Sequence, residues 1–175
     1  MNLVLVGYRC TGKTTIGRLL AARLGWPLVD TDTLIQERAG KSIKEIVASD
    51  GWPEFRRLEC ETIAEVAAAD RQVVSAGGGA ILDAANRKAL RASGRVVWLT
   101  AAPETIWQRL QADPKTAAER PNLTEGGGAT EVRKVLGERR AAYQAACHHE
   151  ISTDQGSPDE SADRILAWFK TLQET

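Results

Sequence analysis

Short apolar, β-branched runs alternate along the chain with longer stretches in which apolar residues recur every three or four positions. NLVLV (Asn2–Val6) reads as a buried strand. From Lys13, the positions Ile16, Leu19, Leu20 and Leu24 keep helical spacing until Gly25. PLVD (Pro27–Asp30) is a second strand, and TLIQERA (Thr33–Ala39) a short helix closed by Gly40. Ser42 and Glu45 form a capping box for a helix ending at Gly51, and Pro53 suits the first turn of another reaching about Ala69. QVVS (Gln72–Ser75) is strand three, followed by a helix from Asp83 to about Ala92. RVVWLT (Arg95–Thr100) is strand four, and Pro103 starts a helix reaching about Ala112. Residues 113–128, with Pro114, Pro121 and a run of three glycines, read as a mobile loop. A helix over 129–146, a short fifth strand at HEIS (His149–Ser152) and a last helix opened by Ser157, Pro158 and Glu160 complete the pattern. Buried strands alternating with helices imply an α/β fold, a parallel sheet covered on both faces.

The chain has 175 residues, which favours a single domain over 1–175. Lys and Arg number 23, as do Asp and Glu, so the net charge is zero. That balance offers no electrostatic attraction for nucleic acid or an anionic membrane, and neither is expected as a partner. An odd count of three cysteines forms no disulfide framework and suits a reducing compartment. The apolar run Leu3–Val6 is too short for a signal peptide core, and no stretch approaches a membrane span. A cytoplasmic protein, acting as a monomer on small molecules, is the expectation.

GYRCTGKT (Gly7–Thr14) matches the phosphate-loop pattern G-x-x-x-x-G-K-[ST], with a strand before it and an amphipathic helix after it. Glycines permit the positive φ angles that turn several backbone N–H groups inward, and the helix N-terminus adds partial positive charge. Lys13 would reach the β- and γ-phosphates, and the Thr14 hydroxyl would ligate Mg²⁺. Cys10 reads as a small filler within the loop. The guanine-reading motif of a GTPase does not occur, nor does an apolar strand ending in an acidic pair. The one strand that ends in acid is VDTD (Val29–Asp32). If the strand stays extended, Asp30 and Asp32 point the same way, toward the phosphate loop; either could also serve as a helix N-cap. Arg56 and Glu59 lie three apart on one helical face, a spacing that an exposed ion pair would also produce. CHHE (Cys147–Glu150) has metal-binding residue types, but adjacent residues rarely converge on one ion.

Taken in order, GYRCTGKTT, VDTD, GWPEFRRLE, SAGGGAIL, ERPNL and ERRAAY resemble shikimate kinase, of the nucleoside-monophosphate-kinase-like group, over nearly the whole chain. The resemblance implies a five-stranded parallel sheet in the order 2-3-1-4-5 flanked by helices, a substrate-binding region over about 31–61 and a mobile lid over about 113–128. It implies transfer of the ATP γ-phosphoryl group to the 3-hydroxyl of shikimate, with Mg²⁺. Cys10, Thr11, Gly12, Lys13, Thr14 and Thr15 would bind ATP, together with the lid residue Arg120. Thr14 and Asp30 match the Mg²⁺-binding positions, and Asp32 the acid that orients the substrate hydroxyls. Arg56 and Arg139 match the carboxylate-binding arginines, with Glu59 beside them and Gly77, Gly78 and Gly79 as the substrate-contacting glycines. Lys13, Asp32 and Arg120 would be the catalytic set. Arg57 or Arg140 could take the part given to its neighbour. The adenine would meet the loop Thr153–Gly156. The glycine run would let a compact polar ring approach the backbone. Two other readings compete: another small-molecule kinase on this scaffold, of the gluconate or nucleotide type, and a nucleotide-binding protein without transferase activity.

Overall fold

A computed structural model of the protein describes residues 1–113, 122–123 and 127–172. Five strands form one parallel sheet: β1 (Asn2–Val6), β2 (Leu28–Asp30), β3 (Val73–Ser75), β4 (Gly94–Thr100) and β5 (His149–Ser152), in the order β2-β3-β1-β4-β5. The helices are α1 (Lys13–Leu24), α2 (Thr31–Ala39), α3 (Ile43–Ala68), α4 (Ala84–Ser93), α5 (Pro103–Ala112), α6 (Gly128–Ala146) and α7 (Pro158–Thr171). All sheet pairings are parallel, with Leu3 beside Val73 and Leu5 beside Ser75.

The alternation of side chains along β1 assigns the two layers. Leu3 and Leu5 join Ile16 and Leu20 of α1 and Ile165 and Phe169 of α7 on one face. Val4 and Val6 join Ile63 of α3, Leu90 of α4 and Tyr143 of α6 on the other. With both faces covered, β1 is apolar from Leu3 to Val6, every one of those side chains fully buried. Two smaller clusters lie elsewhere. Ile35 of α2 packs with Ile43, Ile46 and Phe55 of α3. Tyr8 packs with Ile106 of α5 and Val132 and Val135 of α6.

Helix ends follow the local chemistry. Ser42 and Ser157 each accept from the backbone N–H three residues on, and Glu45 and Glu160 reach back, closing two capping boxes. Asp83 caps α4 through the N–H groups of Ala85 and Asn86. The span of α3 is broken at Gly51 (φ 83°, ψ 168°), so the expected stop and the restart before Pro53 are both present within it. Ala80–Leu82 forms a 3₁₀ turn that the apolar pattern does not signal. Among the described residues no helix is long and apolar enough to cross a membrane.

β1, β2 and β3 end side by side. They deliver the phosphate loop, Asp30 and the glycine run to one edge of the sheet, the edge where ligands of open α/β sheets bind.

Candidate active site

The phosphate loop joins β1 to α1, and Lys13 is the first helical residue. Gly12 (φ 96°) takes the positive φ that its glycine suggests. Cys10 (φ 59°) also sits in the left-handed region, which disfavours a side chain. Several bonds fix the loop from inside. The Thr11 hydroxyl donates to the Tyr8 carbonyl at 2.8 Å, and Lys13 Nζ donates to the Gly7 and Tyr8 carbonyls, each at 2.8 Å. The Thr153 hydroxyl donates to the Thr11 carbonyl at 3.1 Å. Cys10, Gly12, Lys13, Thr14 and Thr15 line one cleft together with Asp30, Asp32 and Ser75.

β2 ends at Asp30 as expected, but α2 begins at Thr31, two residues before the expected Thr33, so Asp32 lies in the first turn of a helix and not on an extended continuation of the strand. The cause is Asp30 itself, whose Oδ1 accepts the Thr33 N–H at 3.2 Å and caps the helix. Its other oxygen has a different set of partners: Oδ2 accepts the Thr14 hydroxyl at 3.1 Å and the Ser75 hydroxyl at 2.9 Å. Both acids still face the phosphate loop, but through a cap and a helical turn. A hydroxyl and a carboxylate oxygen side by side form a hard-oxygen donor set. That set suits Mg²⁺, which takes one or two carboxylates and fills its octahedron with water and phosphate. Among the described residues no three His, Cys, Asp or Glu side chains gather into a metal cluster, the CHHE stretch included.

A second cleft opens beside the first. Arg56, Glu59, Arg139, Gly78 and Gly79 line it, closed by an apolar wall of Trp52, Phe55, Ile43 and Leu123. Arg56 Nη1 donates to Glu59 Oε2 at 2.6 Å. This is not an exposed pair, because the Glu59 side chain is only 2% exposed. Burial pushes the Glu59 carboxyl above the usual range, with Arg56 opposing the shift. The Arg56 guanidinium also lies 5.3 Å from the ring centres of both Trp52 and Phe55. From the other side, Arg139 Nη1 donates to the Gly78 carbonyl at 3.0 Å, and the Tyr143 hydroxyl donates to the same oxygen at 2.6 Å. Burial raises the Tyr143 hydroxyl above its ordinary value, which keeps it a donor.

The members of each arginine pair separate cleanly. Arg57 forks onto Glu54 and bonds Glu61 on the outer face of α3, and Arg140 lies away from this cleft. Arg120 and most of 113–128 lie outside the described residues.

The glycine run also meets a steric need within the protein itself. None of Gly77, Gly78 and Gly79 has a positive φ. A Cβ at Gly77 would stand 2.5 Å from Asp32 Oδ1 and 2.9 Å from Glu59 Oε1; one at Gly79 would stand 2.5 Å from the Arg56 guanidinium nitrogens. Gly77 and Gly79 make room for the protein's own charged side chains and Gly78 for the phosphate-loop backbone, and these in turn shape the cleft.

Several lining residues stand inside the quoted motifs without a part of their own. Tyr8 and Arg9 occupy the free interior of the loop pattern, and Trp52 and Phe55 stand in GWPEFRRLE before its charged residues. Ser75 reads as the end of a strand. Arg109 of α5 donates to the Cys10 carbonyl at 3.2 Å and to the Thr153 carbonyl at 2.6 Å. It lines a third cavity with Cys10, Thr15, Thr153, Gly156 and Pro158, next to the loop expected for adenine.

With this geometry in hand, similarity to known proteins is specific. The family model for shikimate kinase matches residues 9–170. A shikimate kinase of Symbiobacterium thermophilum is 43% identical over 166 residues, covering 95% of this chain and 94% of that one. One of Oleidesulfovibrio alaskensis is 46% identical over 154 residues, 88% and 89% of the two chains. The solved structure of shikimate kinase from Acinetobacter baumannii in complex with shikimate superposes with a TM-score of 0.92 at 33% identity, covering 99% of this chain and 95% of that one. Sheet order, loop and paired clefts thus coincide with sequence similarity along the whole length, and the chain belongs to the shikimate kinase family.

Proposed function

We propose that the protein transfers the γ-phosphoryl group of ATP to the 3-hydroxyl of shikimate. The observation that carries this reading is the second cleft: two buried or half-buried arginines, from α3 and α6, face a small space beside the phosphate loop. Planar guanidinium groups suit a small carboxylate, which they bind through paired N–H bonds. The structural neighbour that holds shikimate supports the same acid here.

In this reading Arg56 and Arg139 hold the acid's carboxylate, and Asp32 orients the hydroxyl that attacks. Glu59 keeps Arg56 aimed at the cleft, and Gly77, Gly78 and Gly79 form the floor. Residues 31–61 are the substrate-binding region of one kinase domain over 1–175. On the nucleotide side the loop N–H groups from Cys10 to Thr15 and the Lys13 ammonium cradle the phosphates. Thr14 and Asp30 would hold Mg²⁺, which when bound neutralises phosphate charge. Arg120, from a lid over about 113–128, would add a further cation. Phosphoryl transfer asks for in-line placement more than for covalent chemistry, so adjacent clefts with a common wall are the main requirement.

The test is ATP-dependent phosphorylation by the purified protein, with shikimate, gluconate and nucleoside monophosphates offered in parallel. Shikimate is expected to turn over with Mg²⁺ and ATP. Nucleotide binding without turnover of shikimate would overturn the reading.

A further inference from the structure

Two of the described residues line both the phosphate cleft and the acid cleft: Asp32 and Arg9. Asp32 already has a part in orienting the hydroxyl. Arg9 is the third residue of the phosphate loop, at a position the loop pattern leaves free. We propose that Arg9 is a catalytic residue of the transfer: its guanidinium meets the γ-phosphoryl group as that group crosses from one cleft to the other. The proposal rests on the reaction given above.

The placement is a matter of backbone contact. Where the two glycine-rich segments touch, a Cβ on Gly78 would stand 3.3 Å from the Gly7 carbonyl oxygen and 3.7 Å from the Arg9 nitrogen. Arg9 therefore leaves the loop at the shared wall. Its guanidinium carbon lies 5.8 Å from the centre of the Tyr8 ring, within cation–π range, and that ring is 1% exposed and fixed in the core.

In the transfer, the acceptor hydroxyl oxygen forms a new bond to the γ-phosphorus. The bond from that phosphorus to the β–γ bridging oxygen breaks, and its electron pair stays on ADP. The hydroxyl proton is released to water. Charge spreads over three equatorial oxygens of a loose transition state. Lys13, rooted at the start of α1, serves the nucleotide side. A cation on the acceptor side has to stand where both clefts can be reached, and Arg9 does.

The experiment compares wild type with Arg9→Met and Arg9→Lys, folding being checked by circular dichroism, with Arg9→Gln as the substitute should the methionine variant fail to fold. Arg9→Met is expected to lower kcat by about 100- to 1000-fold while KM for shikimate and for ATP each move less than about threefold. Arg9→Lys should recover part of the rate. Hydrolysis of ATP measured without any acid would need the same charge neutralisation, so it should fall in Arg9→Met whichever acid is the true acceptor. A kcat within threefold of wild type overturns the proposal. So does a loss confined to KM for the acid, which would make Arg9 a ground-state anchor. If wild type does not phosphorylate shikimate yet Arg9→Met lowers ATP hydrolysis, the assigned substrate falls and the role of Arg9 stands.

Discussion

The guanidinium of Arg56 occupies the space that a side chain on residue 79 would need. Both of its terminal nitrogens stand 2.5 Å from the Cβ position of Gly79. The obstacle is the tip of a long side chain, so the fold can tolerate a methyl group there, but Arg56 would have to leave Glu59 and the Trp52–Phe55 platform. Gly79→Ala is therefore expected to change the melting temperature little and to raise KM for shikimate at least tenfold, with nucleotide affinity unchanged. Steady-state kinetics with both substrates varied would check it. An unchanged KM would show that Arg56 is not needed where it stands.

Arg139 gives a sharper contrast. Its side chain is nearly buried and shares the Gly78 carbonyl with Tyr143. Removing one partner of a desolvated charge pair commonly costs about 100-fold in affinity. Arg139→Ala should raise KM for shikimate by that order and KM for ATP far less, and Arg139→Lys should restore little because an ammonium cannot fork. Equal effects on both substrates would contradict the carboxylate clamp.

Glu59 predicts a pH dependence of stability. Burial raises its carboxyl, and Arg56 only partly offsets this. A carboxyl raised in the folded state contributes stability that is complete below the ordinary carboxylate range and is lost as pH climbs through the raised value. Relative to Glu59→Gln, which keeps an oxygen for Arg56, wild type should lose stability as pH rises from about 4 towards neutrality. Urea midpoints across that range measure the difference. A difference flat with pH would mean that the carboxyl is not strained by burial.

Gly137 lies inside α6 with nothing within 4 Å of its Cβ position. Gly137→Ala should stabilise the protein by about 1 kcal/mol and raise the melting temperature by about 2–4 °C, leaving kcat untouched. A fall in melting temperature would point to a contact that the open space conceals.

Much of this was legible in the residues. The strands, the loop and the two capping boxes follow from period and punctuation, because each depends on near neighbours in the chain, while the order of the strands rests on the resemblance. What was not legible depends on distant approach. The Asp30 cap starts α2 at Thr31 through a bond three residues on, a choice between extended chain and helix that VDTD leaves open. The burial of Glu59 beside Asp32 needs Gly77 across the sheet edge, 18 residues further along than Glu59. Tyr8, Trp52 and Phe55 become cleft walls because of what packs behind them, and an aromatic residue in a sequence looks the same in a core.

Asp30 divides its two carboxylate oxygens between neighbours with different tasks: one pins the start of α2, the other grips the first turn of α1 and the end of β3. The turn that bears Asp32 is thereby tied to the phosphate-loop helix through a single side chain. Asp30→Ala would therefore release three elements at one stroke, freeing the start of α2 together with its anchors on α1 and β3.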